Sequence, residues 1–150
     1  MNKPNFRSIQ TERLNLRPVQ DSDQSLVFQG LSDRDLTRFM LIHYSTLEAT
    51  SEQMEYYRKQ ISSGSGFYWV MEDRMEQTGL GVIGFNNLSI IHERAEIGFW
   101  ILSNHQRKGY VQEAAEALIR NAFIEQGFLR IEASVETDNA ASRALLLSLG

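Results

Sequence analysis

The chain has 150 residues, of which 42% are hydrophobic and 23% are charged, a composition typical of one globular domain with its own core. It contains no cysteine, which excludes disulfides, thiolate metal sites and a cysteine nucleophile and favours a cytoplasmic location. The net charge of −4, together with the lack of a membrane-length apolar run or a signal-peptide pattern, leads us to expect neither nucleic-acid nor membrane partners.

The first part of the chain predicts one strand followed by helices. Residues 13–17 alternate in the manner of a strand, and we expect Arg13 and Arg17 on its solvated face. A short helix follows, which Gly30 is expected to break. A longer helix begins near Thr50 and places three apolar residues on one face: Met54, Tyr57 and Ile61.

The middle of the chain predicts three strands in a meander, at residues 67–71, 79–88 and 95–102. A long helix then leads to a further strand over residues 129–136, and a last helix is predicted over residues 140–149. A strand–helix–strand connection implies one parallel pair. The predicted fold class is α+β, with a mixed, mostly antiparallel sheet, flanking helices, and a central parallel pair that splays where a ligand enters. The aromatic residues expected in its core are Phe67, Trp69 and Trp100.

A basic, glycine-containing loop lies between the third meander strand and the long helix. It covers residues 104–111 and carries Arg107, Lys108 and Gly109. The start of a helix offers free backbone amides and a partial positive charge, so this order of elements predicts an anion site. A solvated turn is the alternative. A general nucleotide-phosphate loop is disfavoured because no glycine-rich segment ending in Lys-Ser or Lys-Thr is present.

The helix after this loop is strongly amphipathic, and Gly127 is expected to end it. Two alanines near its start should let it approach the sheet closely and hold the loop firmly. The residues expected to face inward are Val111, Ala114, Ala115, Leu118, Ile119, Ala122 and Phe123.

The loop sequence Gln106–Val111 is similar to the pattern Gln/Arg-x-x-Gly-x-Gly/Ala of the GNAT acetyltransferases, with Val111 departing at the last position. The similarity continues over nearly the whole chain. It resembles the branch of the RimJ/RimL-type ribosomal-protein N-terminal acetyltransferases, through segments 11–18, 95–100, 109–114, 130–133 and 139–142.

This resemblance implies acetyl-CoA as the acetyl donor. It implies that the backbone of three residues on the central strand pairs with the pantetheine arm: Phe99, Trp100 and Ile101. It implies that the pyrophosphate is held by the loop residues Arg107, Lys108, Gly109, Tyr110, Val111 and Gln112. From the last helix it adds two contacts to the cofactor, Asn139 and Ser142.

Acetyl transfer requires a neutral amine, whereas a lysine amine has a pKa of about 10.4 and an α-amine about 8. Glu96, on the central strand, is the first candidate for the general base; a purely structural glutamate is the alternative. Glu132 and Glu136 are weaker candidates. Leu146 occupies the position at which many relatives carry a tyrosine general acid, so solvent, Tyr110 or another tyrosine would have to replace it.

The sequence therefore predicts an N-acetyltransferase that acetylates a protein N-terminus or a small amine by direct attack in a ternary complex. A non-catalytic acyl-CoA-binding module is the alternative, which Val111 and Leu146 keep open. No metal is expected, because the three histidines lack metal-ligand spacing. Relatives continue past Gly150 into two more strands, so we expect one C-terminally incomplete domain over residues 1–150, with an open strand edge that favours a homodimer.

Overall fold

A computed structural model describes residues 6–38 and 40–132. The strands in this part are β1 (Ile9–Gln10), β2 (Leu14–Pro18), β3 (Phe67–Asp73), β4 (Gly79–Ser89), β5 (Arg94–Ile101) and β6 (Arg130–Glu132). The helices are α1 (Gln24–Leu31), α2 (Arg34–Thr37), α3 (Ser51–Ser63) and α4 (Tyr110–Arg120), with 3₁₀ turns at Asp21–Asp23, Glu48–Thr50 and Ser103–His105.

The strands form one sheet in chain order, from β1 to β6. Neighbours from β1 to β5 are antiparallel, whereas β5 and β6 are parallel and pair Ala95 with Ile131. The α4 crossover therefore creates the parallel pair that the sequence predicted. The continuation of β6, the last helix and the expected open edge lie outside the described residues, as do Asn139, Ser142, Leu146 and Glu136.

The helix α4 covers one face of the sheet, and the two alanines Ala114 and Ala115 are buried as predicted. The prediction for Phe123 was wrong, because this side chain is 41% exposed. The helix passes into a π-helical turn at Asn121–Glu125, and its wider spacing rotates Phe123 away from the sheet. Phe128 is buried in the same core cluster, just beyond Gly127 with its φ of +74°.

Helices α1 and α3 cover the opposite face, and Trp100 of β5 packs between them. Its indole nitrogen lies 3.3 Å from the Tyr57 hydroxyl, to which it donates. The helix α1 ends at Leu31, one residue past Gly30, which is close to the break that the sequence predicted. A Cβ atom at Gly30 would lie 2.3 Å from the Trp100 ring, so packing also requires this glycine.

None of the helices in the described ranges combines the length and the apolar character needed to cross a membrane.

Candidate active site

The loop after β5 has a conformation that only a few residue types adopt easily. A 3₁₀ turn at Ser103–His105 leads into an exposed stretch in which Arg107 has φ of +63° and Gly109 has φ of +81°. Gly109 is the N-cap of α4. Glycine is favoured at this cap because it enters the left-handed region without the Cβ clash that other residues meet.

The backbone amides in the second part of this loop donate hydrogen bonds to no other described group. The bond from the Glu113 amide to the Gly109 carbonyl, 3.1 Å long, begins the helical pattern. The amides of residues 107–112 donate to no described loop carbonyl or side chain. The loop therefore brings the six predicted pyrophosphate-binding residues together at a helix start, where free N–H groups and the helix dipole favour an anion.

Val111 departs from the motif without entering the loop. Its side chain is only 9% exposed and belongs to the core cluster beneath α4. The extra methyl groups relative to glycine or alanine therefore lie in the core rather than on the outer side of the loop.

Arg13 contacts the loop from the segment before β2, so it does more than form part of the solvated strand face that the sequence predicted, although its side chain stays 40% exposed. Its Nη1 donates to the Lys108 carbonyl at 2.9 Å, and its Nε donates to Glu113 at 2.8 Å. Its guanidinium lies 4.3 Å from the centre of the Tyr110 ring, a cation–π distance. Arg17 is also engaged, with Asp23 and Glu72.

Glu113 collects hydrogen bonds from the segment before β2. Its carboxylate accepts from the Thr11 hydroxyl and from both the backbone amide and the side chain of Arg13. Partial burial raises the pKa of Glu113, but these hydrogen bonds and the Arg13 charge outweigh burial and hold the pKa below its usual range. The negative form of Glu113 is therefore the one that the fold stabilises.

Acidification should consequently weaken the fold through Glu113. A carboxyl whose folded pKa is depressed contributes stability above its unfolded pKa of about 4.3 and loses that contribution as the pH falls through the folded pKa. We expect the difference in unfolding free energy between the wild type and Glu113→Gln to be constant from pH 6 to 8 and to vanish in acid. Urea unfolding across this pH range measures it, and a difference that persists below the folded pKa would contradict the assignment.

The strand β5 presents the predicted pantetheine-binding backbone next to the loop. Phe99, Trp100 and Ile101 pair with β4 along one edge of β5. The described part of β6 pairs only with residues 94–96, so no described strand occupies the other edge beyond them. The Trp100 side chain is buried among α1 and α3, which leaves its backbone as the part that could meet a ligand.

Glu96 lies on the α1/α3 face of β5, two residues before Gly98. Its carboxylate accepts a 2.6 Å hydrogen bond from the side-chain amide of Asn87. Asn87 has φ of +49° and lies in an irregularity of the β4–β5 pairing that follows Asn86. Gly98 leaves space beside Glu96, since a Cβ there would meet a single foreign atom within 4 Å, the Asn86 side-chain nitrogen at 3.1 Å.

Two tyrosines that the sequence did not single out converge on this region. The hydroxyl of Tyr68 donates to the side-chain oxygen of Asn86 at 2.6 Å, and that of Tyr56 does so at 3.2 Å. Burial raises the pKa of Tyr68 well above its usual range, so its hydroxyl keeps its proton at neutral pH. Tyr110 instead lies in the loop beneath Arg13.

The weaker candidate Glu132 and the histidine His43 have partners of their own. His43 contacts the Thr37 hydroxyl at 2.9 Å, and Glu132 forms an ion pair with Arg130. Within residues 6–38 and 40–132, no cluster of three or more potential ligand side chains could hold a metal. A cavity of about 390 Å³ lies at the opposite end of β5 from the loop and is lined by His92, Arg94, Leu129 and Arg130.

Comparisons with known proteins identify the family of the chain. The family model described as the acetyltransferase (GNAT) domain matches residues 13–150. The uncharacterized N-acetyltransferase YoaA of Bacillus subtilis (strain 168) is 34% identical over 146 residues, which are 97% of this chain and 82% of that protein. The ribosomal-protein-serine acetyltransferase of Escherichia coli (strain K12) is 35% identical over 72 residues, covering 47% of this chain and 40% of that protein.

Solved structures give the same fold. A GNAT-family acetyltransferase from Bacillus anthracis has a TM-score of 0.82 at 26% identity and covers 95% of this chain and 82% of that one. Spermidine N-acetyltransferase from Vibrio cholerae, solved with CoA and spermine, has a TM-score of 0.80 at 21% identity, with coverages of 93% and 79%. The chain belongs to the GNAT acetyltransferases, as its resemblance to the RimJ/RimL branch implied.

Proposed function

We propose that this GNAT acetyltransferase moves the acetyl group of acetyl-CoA to a primary amine, with Glu96 as the general base. The observation that supports this proposal most is the placement of both halves of the reaction on β5. The loop with free amides follows the end of the strand, and Glu96 lies further back beside the space that Gly98 leaves.

Different residues along β5 and its loop bind different parts of the donor and remove the proton from the amine. The amides of residues 107–112 and the cations Arg107 and Lys108 hold the pyrophosphate. The edge of Phe99–Ile101 with which no described strand pairs meets the pantetheine arm. The acyl end then lies towards Glu96, which removes a proton from the incoming ammonium, directly or through one water. The hydrogen bond from Asn87 restrains the Glu96 carboxylate at the irregularity of the β4–β5 pairing.

The thioester carbonyl becomes an oxyanion during attack, and a hydrogen-bond donor lowers the barrier. Backbone amides on the edge of β5 with which no described strand pairs are the donors that we propose for that role. The leaving thiolate takes its proton from solvent or from a tyrosine. Among the described tyrosines, Tyr56 is better placed than Tyr110, because it contacts Asn86, the register partner of Glu96. Tyr68 also contacts Asn86, but the raised pKa of its buried hydroxyl makes it a weak proton donor.

The acceptor that we propose is a protein N-terminus or a small amine. Relatives of both kinds occur, since the E. coli protein is named for a ribosomal-protein serine and the V. cholerae structure for spermidine. We also propose a cytoplasmic location, which the cysteine-free composition favours. The alternative of a non-catalytic acyl-CoA-binding module is disfavoured, because the matched family and relatives are acetyltransferases.

Initial-rate kinetics test the direct attack. Without a cysteine, an acyl-enzyme has no thiol to form on, so we expect both substrates to be bound before any product leaves. Double-reciprocal plots at several fixed amine concentrations should intersect. Parallel lines, together with CoA release from acetyl-CoA before any amine is added, would indicate a covalent intermediate and contradict this mechanism.

A further inference from the structure

Arg13 is the feature of the molecule that neither the motif nor the family match assigns. It precedes β2, yet its side chain reaches the loop that begins α4. Its three interactions there are the bond to the Lys108 carbonyl, the ion pair with Glu113 and the contact with the Tyr110 ring. Arg13 is 40% exposed at its side chain, so this arrangement is not a consequence of simple burial.

The bond to the Lys108 carbonyl fixes the direction of a neighbouring amide. The carbonyl of Lys108 and the N–H of Gly109 belong to the same peptide plane, and in a trans peptide they point in opposite directions. When Arg13 holds the carbonyl on its own side, the Gly109 amide must point away from Arg13. The same contact also neutralises a carbonyl oxygen that would repel an anion if the peptide turned over.

Glycine at position 109 makes this restraint necessary. Glycine adopts many backbone conformations at similar cost, so the Lys108–Gly109 peptide would turn freely in an exposed loop. Arg107, with φ of +63°, adds a second unusual conformation just before it. An external restraint is therefore needed to keep the Lys108–Gly109 peptide in one orientation before a ligand arrives, which lowers the entropy lost on binding.

Glu113 holds Arg13 in place from inside α4. Its carboxylate accepts from the Arg13 side chain, from the Arg13 amide and from the Thr11 hydroxyl. Because Nε is committed to Glu113 and Nη1 to the loop, the planar guanidinium spans the first turn of the helix and the preceding peptide. A lysine at this position has a single ammonium and lacks that fork.

We propose that Arg13 is a positioning residue for the donor, which sets the Lys108–Gly109 peptide so that the Gly109 amide faces the CoA pyrophosphate. The proposal rests on the proposed function, since it takes the loop to be the CoA site. Arg13 acts through the loop backbone and does not touch the reacting atoms. Its loss should therefore raise the KM for acetyl-CoA and leave kcat nearly unchanged.

The test compares three variants by calorimetric titration with CoA and by steady-state kinetics. Arg13→Gln should weaken CoA binding by on the order of tenfold, the usual effect of losing a charged hydrogen bond. Arg13→Lys keeps the charge but loses the fork, so it should also weaken binding by about fivefold or more. Arg74→Gln is the matched control. Arg74 donates to the Thr11 carbonyl at 2.8 Å, in the segment before Arg13, and does not contact the loop. The Arg74→Gln variant should therefore bind CoA normally.

Amide NMR supplies a readout that general destabilisation would not move. In the wild type, CoA should shift the Gly109 amide proton strongly downfield, and in Arg13→Lys this shift should be smaller. The lysine variant should fold even if Arg13→Gln does not. Wild-type CoA affinity in both Arg13 variants would overturn the positioning role. Normal affinity in Arg13→Lys alone would overturn it too, since charge would then suffice. A wild type that does not bind CoA would instead refute the proposed function.

Discussion

Replacing Gly109 by glutamate is expected to abolish acetyl-CoA binding. Gly109 has φ of +81°, where a side chain costs about 1–2 kcal/mol. A Cβ there would lie 3.3 Å from Nη2 of Arg13, so the new carboxylate would compete for the guanidinium that holds the loop and would add negative charge beside the anion site. At a ligand concentration of about 100 times Kd, acetyl-CoA should raise the melting temperature of the wild type by on the order of 5–10 °C. The Gly109→Glu variant should show no such shift.

Gly127→Glu is the matched control for this experiment. Gly127 also has a positive φ, +74°, and a Cβ there would meet nothing within 4 Å, so the substitution adds comparable strain and the same charge far from the loop. Its melting temperature should be lower than that of the wild type but should rise normally with acetyl-CoA. Equal ligand-induced shifts in the wild type and in Gly109→Glu would show that the cofactor binds elsewhere.

Replacing Glu96 by glutamine is expected to lower kcat by about 100-fold at neutral pH, the usual scale of general-base catalysis. CoA affinity should remain unchanged, because Glu96 lies away from the loop on the α1/α3 face of β5. The loss should shrink as the pH rises above about 8, where an α-amine loses its proton without help. A pH–rate profile of both enzymes with an N-terminal peptide amine measures this change.

Glu132→Gln distinguishes Glu96 from its neighbour. Glu132 is the register partner of Glu96 on β6, but its carboxylate is paired with Arg130, so we expect its replacement to leave kcat nearly unchanged. Loss of activity in Glu132→Gln with normal activity in Glu96→Gln would transfer the base to β6. Equal rates in all three proteins would assign proton removal to solvent.

The meander, α4 and the parallel pair could be predicted because each leaves a local signal. Strands β3 to β5 are apolar runs bounded by turn residues. The apolar residues of α4 follow helical spacing from the first turn of the helix, directly after the loop. The loop itself was predictable, since a glycine between basic residues and a helix start is a local arrangement. The family resemblance then supplied the ligand, which periodicity alone cannot provide.

The features that escaped prediction depend on residues far apart in the chain. Arg13 looked like a solvated strand residue because Glu113, its partner, lies 100 residues downstream. The role of Gly30 depends on Trp100, which packs against it from another element. Phe123 fitted the helical spacing, but a π-helical turn changes that spacing. The residues of this turn carry no sequence pattern that predicts the change. Asn86 and Asn87 could have attracted attention as adjacent polar residues near a strand end.

The most direct test of the account combines acetyl-CoA with free amines and follows both products. Peptides with a free α-amine and a polyamine serve as acceptors, thiol release reports CoA, and mass spectrometry reports the acetylated amine. We predict equal amounts of CoA and acetylated amine with at least one acceptor, and neither product from Gly109→Glu. Saturable binding of acetyl-CoA with no acetylated amine from any acceptor would contradict the account and identify the chain as a binding module.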